Sequence, residues 1–159
     1  MEDNGITVRL AHDEDVASIL GILPQITTRP ESLSAKVPAV HKALQIFERM
    51  ELHGNIYLVI AQANHTKTIV GALTLVIVPN FNYNGRPWSI IENVVVSREW
   101  RRKGIGQKMM DFATDVAKHN DCFKIQLLSG PRDDQAGFYR SLGFDDANSR
   151  GFKKYLVDR

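Results

Sequence analysis

The run Val94-Val95-Val96-Ser97-Arg98-Glu99-Trp100-Arg101-Arg102-Lys103-Gly104-Ile105-Gly106 constrains this chain more than any other part of it. Its valines read as a buried strand, and its cations and glycines as a turn. Met109, Phe112 and Val116 then recur from Ile105 at helical spacing, which predicts a helix to about Asn120. A strand that turns directly into a helix exposes the first amide N–H groups of that helix. With no side chains at Gly104 and Gly106, a ligand can press against those amides. Arg101, Arg102 and Lys103 oppose the helix macrodipole by about 0.3–1 kcal/mol each when exposed, so they make better sense with an anion between them. A diphosphate supplies that charge. The spacing is neither Gly-x-Gly-x-x-Gly nor Gly-x-x-x-x-Gly-Lys-Ser/Thr, which disfavours nucleoside triphosphatase chemistry.

A chain of 159 residues, 43% hydrophobic and 24% charged, predicts one domain over 1–159 that needs neither disulfides nor a structural metal. Ile6 to Leu10 alternates as a half-buried strand, and Asp13 offers an N-cap for a helix carrying Val16, Ile19, Leu20 and Leu23. Pro24 and Pro30 bracket a loop. Val40, Ala43, Leu44, Phe47 and Met50 then predict a second helix ending at Gly54. Ile56–Ala61 and Ile69–Val78 read as an antiparallel pair, and Asn84-Gly85 as a tight turn into a strand over Trp88–Val96. After the helix, Lys124–Leu128 is a strand reached by a crossover, hence parallel to the one ending at Val96. A last helix opens at Asp133 or Asp134 and ends at Leu142 with Gly143 as its stop. Phe144 and Lys153–Val157 are expected to close the sheet. The fold class is therefore α/β with a mixed sheet (α+β), in the order β-α-α-β-β-β-α-β-α-β-β.

Several function classes are disfavoured. Twenty Lys and Arg against eighteen Asp and Glu leave a net charge of +2, too little for a dedicated nucleic-acid binder. The five histidines have no metal-ligand spacing, so no metal is expected. No run approaches the roughly 20 apolar residues of a membrane span, and the first residues lack a cationic-then-apolar leader. The single cysteine, Cys122, suits a reducing, cytoplasmic setting and reads as a structural thiol.

With Arg101, Gly104 and Gly106 in the pattern Arg-x-x-Gly-x-Gly, and Phe138-Tyr139-Arg140-Ser141-Leu142-Gly143-Phe144 near the C-terminal end, the chain resembles the GNAT superfamily of N-acetyltransferases. The resemblance covers essentially the whole chain and is strongest from Glu92 to Phe144. It implies acetyl-CoA as cosubstrate and a sheet that splays between the strands ending at Val96 and Leu128. The pantetheine arm would lie along the backbone of Val94, Val95 and Val96. The pyrophosphate would rest on amides from Arg102 through Lys103, Gly104, Ile105 and Gly106 to Gln107, beside Arg101. It also implies that the Tyr139 hydroxyl protonates the departing thiolate, which a phenol of pKa about 10 can do for a thiol near 8.5. Ile91–Val96 and Cys122–Ile125 are also similar to glucosamine-6-phosphate N-acetyltransferases, although Ser129-Gly130-Pro131-Arg132 replaces the acidic residue expected there for holding the sugar.

Direct acetyl transfer needs a neutral amine, a polarised carbonyl and a leaving thiolate. The Val94 N–H is the candidate oxyanion donor. Glu92 is the candidate base, because it interrupts an apolar strand and by strict alternation shares a face with Val94 and Val96, where desolvation tunes a carboxylate for proton transfer. Asn93 falls on the other face and receives no role. Phe81, Tyr83 and Ser129 are candidates for the acceptor site. The expected reaction is acetylation of a small-molecule primary amine such as an amino sugar or amino acid derivative. The alternatives are a protein amine or a non-catalytic CoA-binding, regulatory module. Dimerisation, common among similar proteins, is expected too.

Overall fold

The computed structural model describes residues 5–27, 35–129, 133–148 and 150–156, with Asp133 and Asp134 as backbone only. Pro30, Arg132 and Val157 lie outside the described residues. The chain forms two compact units, Met1–Gln126 and Leu127–Arg159, which are taken separately.

In the first unit the strands are β1 (Ile6–Leu10), β2 (Ile56–Ala63), β3 (Ile69–Val78) and β4 (Trp88–Val96), and β5 (Ile125–Leu127) follows as the chain leaves the unit. Their order in the sheet is β1-β2-β3-β4-β5, with antiparallel pairing from β1 through β4. At the start of β4 the direction changes. Phe123 N–H donates to Pro87 C=O and Ser89 N–H to Lys124 C=O, so the two segments advance together, as a crossover requires. Asn84 and Gly85 take φ of 57° and 79°, the conformation expected of this tight turn.

Among the described residues of this unit the α-helices are α1 (Val16–Ile22), α2 (Val40–His53) and α3 (Ile105–His119). The helical spacing in α2 buries Ala43 and Phe47, and Gly54 stops the helix at φ 67°. Those side chains join Val16, Ile19 and Ile22 of α1 over Ile60, Ala72 and Val95 of the sheet. Burying the larger of these side chains stabilises the fold by about 1.5–3 kcal/mol each. On α3, Met109 is fully buried and comes so close to Gly71 that a Cβ there would lie 2.9 Å from its sulfur. Gly71 is thus required by close approach of the helix. The start of α1 differs from the sequence expectation. Asp13–Asp15 form a 3-10 turn, and the Asp15 carboxylate makes no capping bond to α1 but accepts from the Arg9 guanidinium at 2.6 and 2.9 Å. His12 N–H donates to Asp15 at 2.8 Å, so this buried carboxylate is well satisfied.

The second unit contains α4 (Asp133–Ser141). Gly143 N–H bonds Arg140 C=O at 3.0 Å and Phe144 N–H bonds Tyr139 C=O at 3.1 Å, with Gly143 at φ 86°. This is a Schellman stop, and its accompanying contact is the Tyr139–Phe144 ring pair, 6.0 Å between centroids. The spacing Tyr-x-x-x-Gly-Phe is therefore a helix terminus that orients Tyr139. The two closing strands expected from Phe144 and from Lys153–Val157 are not found among the described residues. Phe144 has its N–H committed to the helix stop, and Phe152 and Leu156 are 85% and 87% exposed, so this segment buries no apolar face.

Candidate active site

The site is built on an irregularity in β4. Ala72 pairs with Val95 and Thr74 with Glu92, so two steps along β3 answer three along β4. The extra residue is a β-bulge, and Asn93 accommodates it at φ 56°, a conformation Asn adopts more readily than most residues. Neither Asn93 nor Val94 has a cross-strand partner in β3, so the backbone amides here are released from the regular ladder.

The bulge also changes which side chains share a face. Strict alternation predicts Glu92 with Val94 and Val96. In the structure Glu92 lies opposite Thr74, two residues from Ala72, whose partner is Val95, so Glu92 shares the face of Val95. That is the face covered by α1 and α2. Glu92 is exposed rather than enclosed by its apolar neighbours. Asn93, left without a role by alternation, lines a cavity with Thr74. The signal in the sequence is an αL-tolerant Asn inside a β-branched strand.

This cavity, about 220 Å³, lies between α1, α2 and the sheet. Among the described residues its lining is mostly aliphatic, Thr74 and Asn93 are the polar members, and none carries a charge. Pro38, Ile46 and Asn93 are exposed, whereas Ile19, Ala43 and Phe47 are buried, so it runs from an open mouth to an apolar floor.

Beyond Val96 the turn reverses into α3. Arg101 serves the turn itself: its guanidinium donates to Val96 C=O and to Gln25 C=O, each at 2.9 Å. Gln25 in turn accepts the Arg98 N–H at 2.8 Å, tying the turn to the Leu23–Ile26 segment. Arg102 and Gly104 have φ of 59° and 76°, and both are exposed. Lys103 lies over the Trp100 ring at 4.9 Å. Gly104 is the N-cap of α3 with no side-chain capping bond, and the helix ladder begins with Lys108 N–H to Gly104 C=O. The N–H groups of Ile105, Gly106 and Gln107 thus precede the first intrahelical bond and face the turn uncapped. A diphosphate fits such a terminus.

Val96 and Arg101 are joined by a hydrogen bond at the end of β4 and Arg101–Gln107 lead directly into α3, whereas Glu92 lies four residues back, on the face covered by α1 and α2. Phe81 and Tyr83 do not line the cavity. Phe81 is fully exposed, and Tyr83 stacks on Phe123 at 3.8 Å beside Pro87, at the opposite end of β4. Burial pushes the Cys122 thiol above its ordinary pKa, opposed by a hydrogen bond with Ser89, which suits an inert thiol. Tyr139 is half-buried on α4 and Ser129 is exposed, both within the second unit.

Residues 25–144 match the acetyltransferase (GNAT) family. A glucosamine 6-phosphate N-acetyltransferase of Trypanosoma brucei brucei is 27% identical over 139 residues, 87% of this chain and 88% of that one. The crystal structure of a Trypanosoma brucei acetyltransferase superposes with a TM-score of 0.80 at 26% identity, over 95% of this chain and 99% of that one. For a glucosamine-6-phosphate N-acetyltransferase of Arabidopsis thaliana the TM-score is 0.82 at 22% identity, over 96% and 99% of the two chains, a likeness of fold. No described helix is long and apolar enough to cross a membrane.

Proposed function

Because the chain belongs to the acetyltransferase (GNAT) family and is an acetyl-CoA-dependent N-acetyltransferase, we propose that it acetylates the primary amine of a small molecule by direct attack on the thioester. The observation that carries this reading is the bulge at Asn93. It frees strand amides beside an open cavity and on the same strand that leads into the uncapped amides of α3. We read the two compact units as one catalytic domain, 1–159.

The pyrophosphate rests on the N–H groups from Arg102 to Gln107, with Arg101 holding the turn in shape. The pantetheine arm follows the backbone of Val94–Val96. A neutral amine attacks the carbonyl carbon, forming the C–N bond, while the Val94 N–H donates to the oxyanion. As the C–S bond breaks, the Tyr139 hydroxyl gives its proton to the thiolate. Glu92, open to solvent, takes the ammonium proton through water. A homodimer is the expected assembly, for sedimentation to test.

Thermal denaturation with acetyl-CoA, CoA or ATP tests the cofactor site, since a ligand at 100 times its Kd adds about 2.7 kcal/mol of stability. Stabilisation by both CoA species and not by ATP, together with free-thiol release on adding an amine, is expected. No shift at millimolar CoA contradicts the site, and binding without thiol release identifies a non-catalytic CoA-binding module.

A further inference from the structure

The cavity beside the bulge says what kind of amine the site takes. Its floor is formed by Ile19, Ala43 and Phe47, and its polar atoms are confined to Thr74 and Asn93, at the bulge where the amine has to react. A sugar phosphate brings a dianion and several hydroxyls, each of which loses water on entry and needs a donor or cation in return. Among the described residues the lining offers one hydroxyl and one carboxamide, and no cation. At about 220 Å³ the cavity exceeds the apolar cavity of about 150 Å³ that accommodates benzene, so a phenyl ring or a short alkyl chain fits.

We infer that the acceptor is a primary amine on an uncharged apolar group of about this size, aliphatic or aryl-alkyl. The apolar group lies between α1 and α2, and the nitrogen lies at Asn93 and Thr74. The inference rests on the proposed acetyl transfer. An alkylammonium ion arriving at the mouth meets Glu92, which shares the Thr74 face, and once deprotonated it presents a lone pair toward the bulged strand. The binding chemistry is thus burial of methylene or aryl surface, with one polar anchor at the reacting end.

Free-thiol release from acetyl-CoA, measured with ethylamine, butylamine, hexylamine, 2-phenylethylamine and glucosamine 6-phosphate on the full chain, tests this. Burial at about 0.8 kcal/mol per methylene predicts that kcat/KM rises roughly fourfold per CH2 from ethylamine to hexylamine. 2-Phenylethylamine should exceed glucosamine 6-phosphate at least tenfold. Ile46, 42% exposed at the mouth, provides a variant that leaves the floor intact. Ile46→Asp is expected to flatten the methylene series and to leave stabilisation by acetyl-CoA unchanged. A flat series on the unmodified protein, with glucosamine 6-phosphate the faster substrate, overturns the inference and leaves acetyl transfer standing. Stabilisation by acetyl-CoA with no thiol release from any of these amines removes the small-amine reading and the inference with it.

Discussion

Gly104 separates backbone conformation from charge at the proposed pyrophosphate site. Its φ is 76°, and a Cβ built there meets nothing within 4 Å, so substitution costs conformation alone. Placing an ordinary L-residue in the left-handed region costs about 1–2 kcal/mol. Losing glycine's freedom in the unfolded chain returns about 0.4–1 kcal/mol, so Gly104→Ala should destabilise by about 1 kcal/mol. For a chain of this length that lowers Tm by about 2–4 °C. Gly104→Asn should cost less, because Asn tolerates this region, and Gly104→Asp should resemble it in shape and stability. The two differ in charge. A carboxylate about 5 Å from one pyrophosphate charge, at an effective dielectric of 20, is repelled by about 3 kcal/mol, or roughly 150-fold in Kd. Urea denaturation reads the stabilities, and calorimetric titration with CoA reads the affinities. Equal CoA affinity in Gly104→Asn and Gly104→Asp would refute the placement of the diphosphate at the start of α3. Loss of several kcal/mol in Gly104→Ala would refute the claim that φ alone selects glycine.

Tyr139→Phe should lower turnover by roughly 10²- to 10⁴-fold in the thiol-release assay with acetyl-CoA affinity little changed, and unaltered turnover removes the general-acid assignment. Gly71→Ala should destabilise by about 1–3 kcal/mol in urea denaturation, because the new methyl meets the sulfur of fully buried Met109 at 2.9 Å and Val95 C=O at 3.3 Å. The Arg9 guanidinium, through its hydrogen bonds, holds the Asp15 carboxyl below its ordinary range against the opposing effect of burial. A carboxyl depressed in the folded state contributes stability that is fully present above its unfolded pKa of about 3.9 and is lost as pH falls through the folded value. Denaturation midpoints should therefore drop below about pH 4, and less steeply in Asp15→Asn. Identical acid profiles for the two proteins would show that this pair does not govern the loss.

Much of the fold is legible in the chain because its signals are local. The span of β4 follows from a β-branched run, α2 from apolar residues at helical spacing ending at Gly54, and the start of α3 from Gly104. Each is decided by residues within a turn or two of one another. The Tyr139-to-Phe144 spacing is local in the same way, since a Schellman stop involves six consecutive residues. What required the tertiary structure is everything that depends on two distant segments at once. The bulge at Asn93 is a mismatch of register between β3 and β4, and it moves Glu92 to the α1 and α2 face when alternation along β4 alone places it with Val94 and Val96. Arg101 reads as an anion ligand until Gln25, from far along the chain, is seen to take its guanidinium. Lys153–Val157 is expected as a closing strand, yet a strand exists only where a neighbour accepts its hydrogen bonds and a face buries its side chains, and the described residues 153–156 are exposed. The sequence by itself determined the elements whose signals are local, β4, α2 and α3 among them. Only the tertiary structure decided which side chains meet at the cavity, because register and packing are properties of pairs of segments.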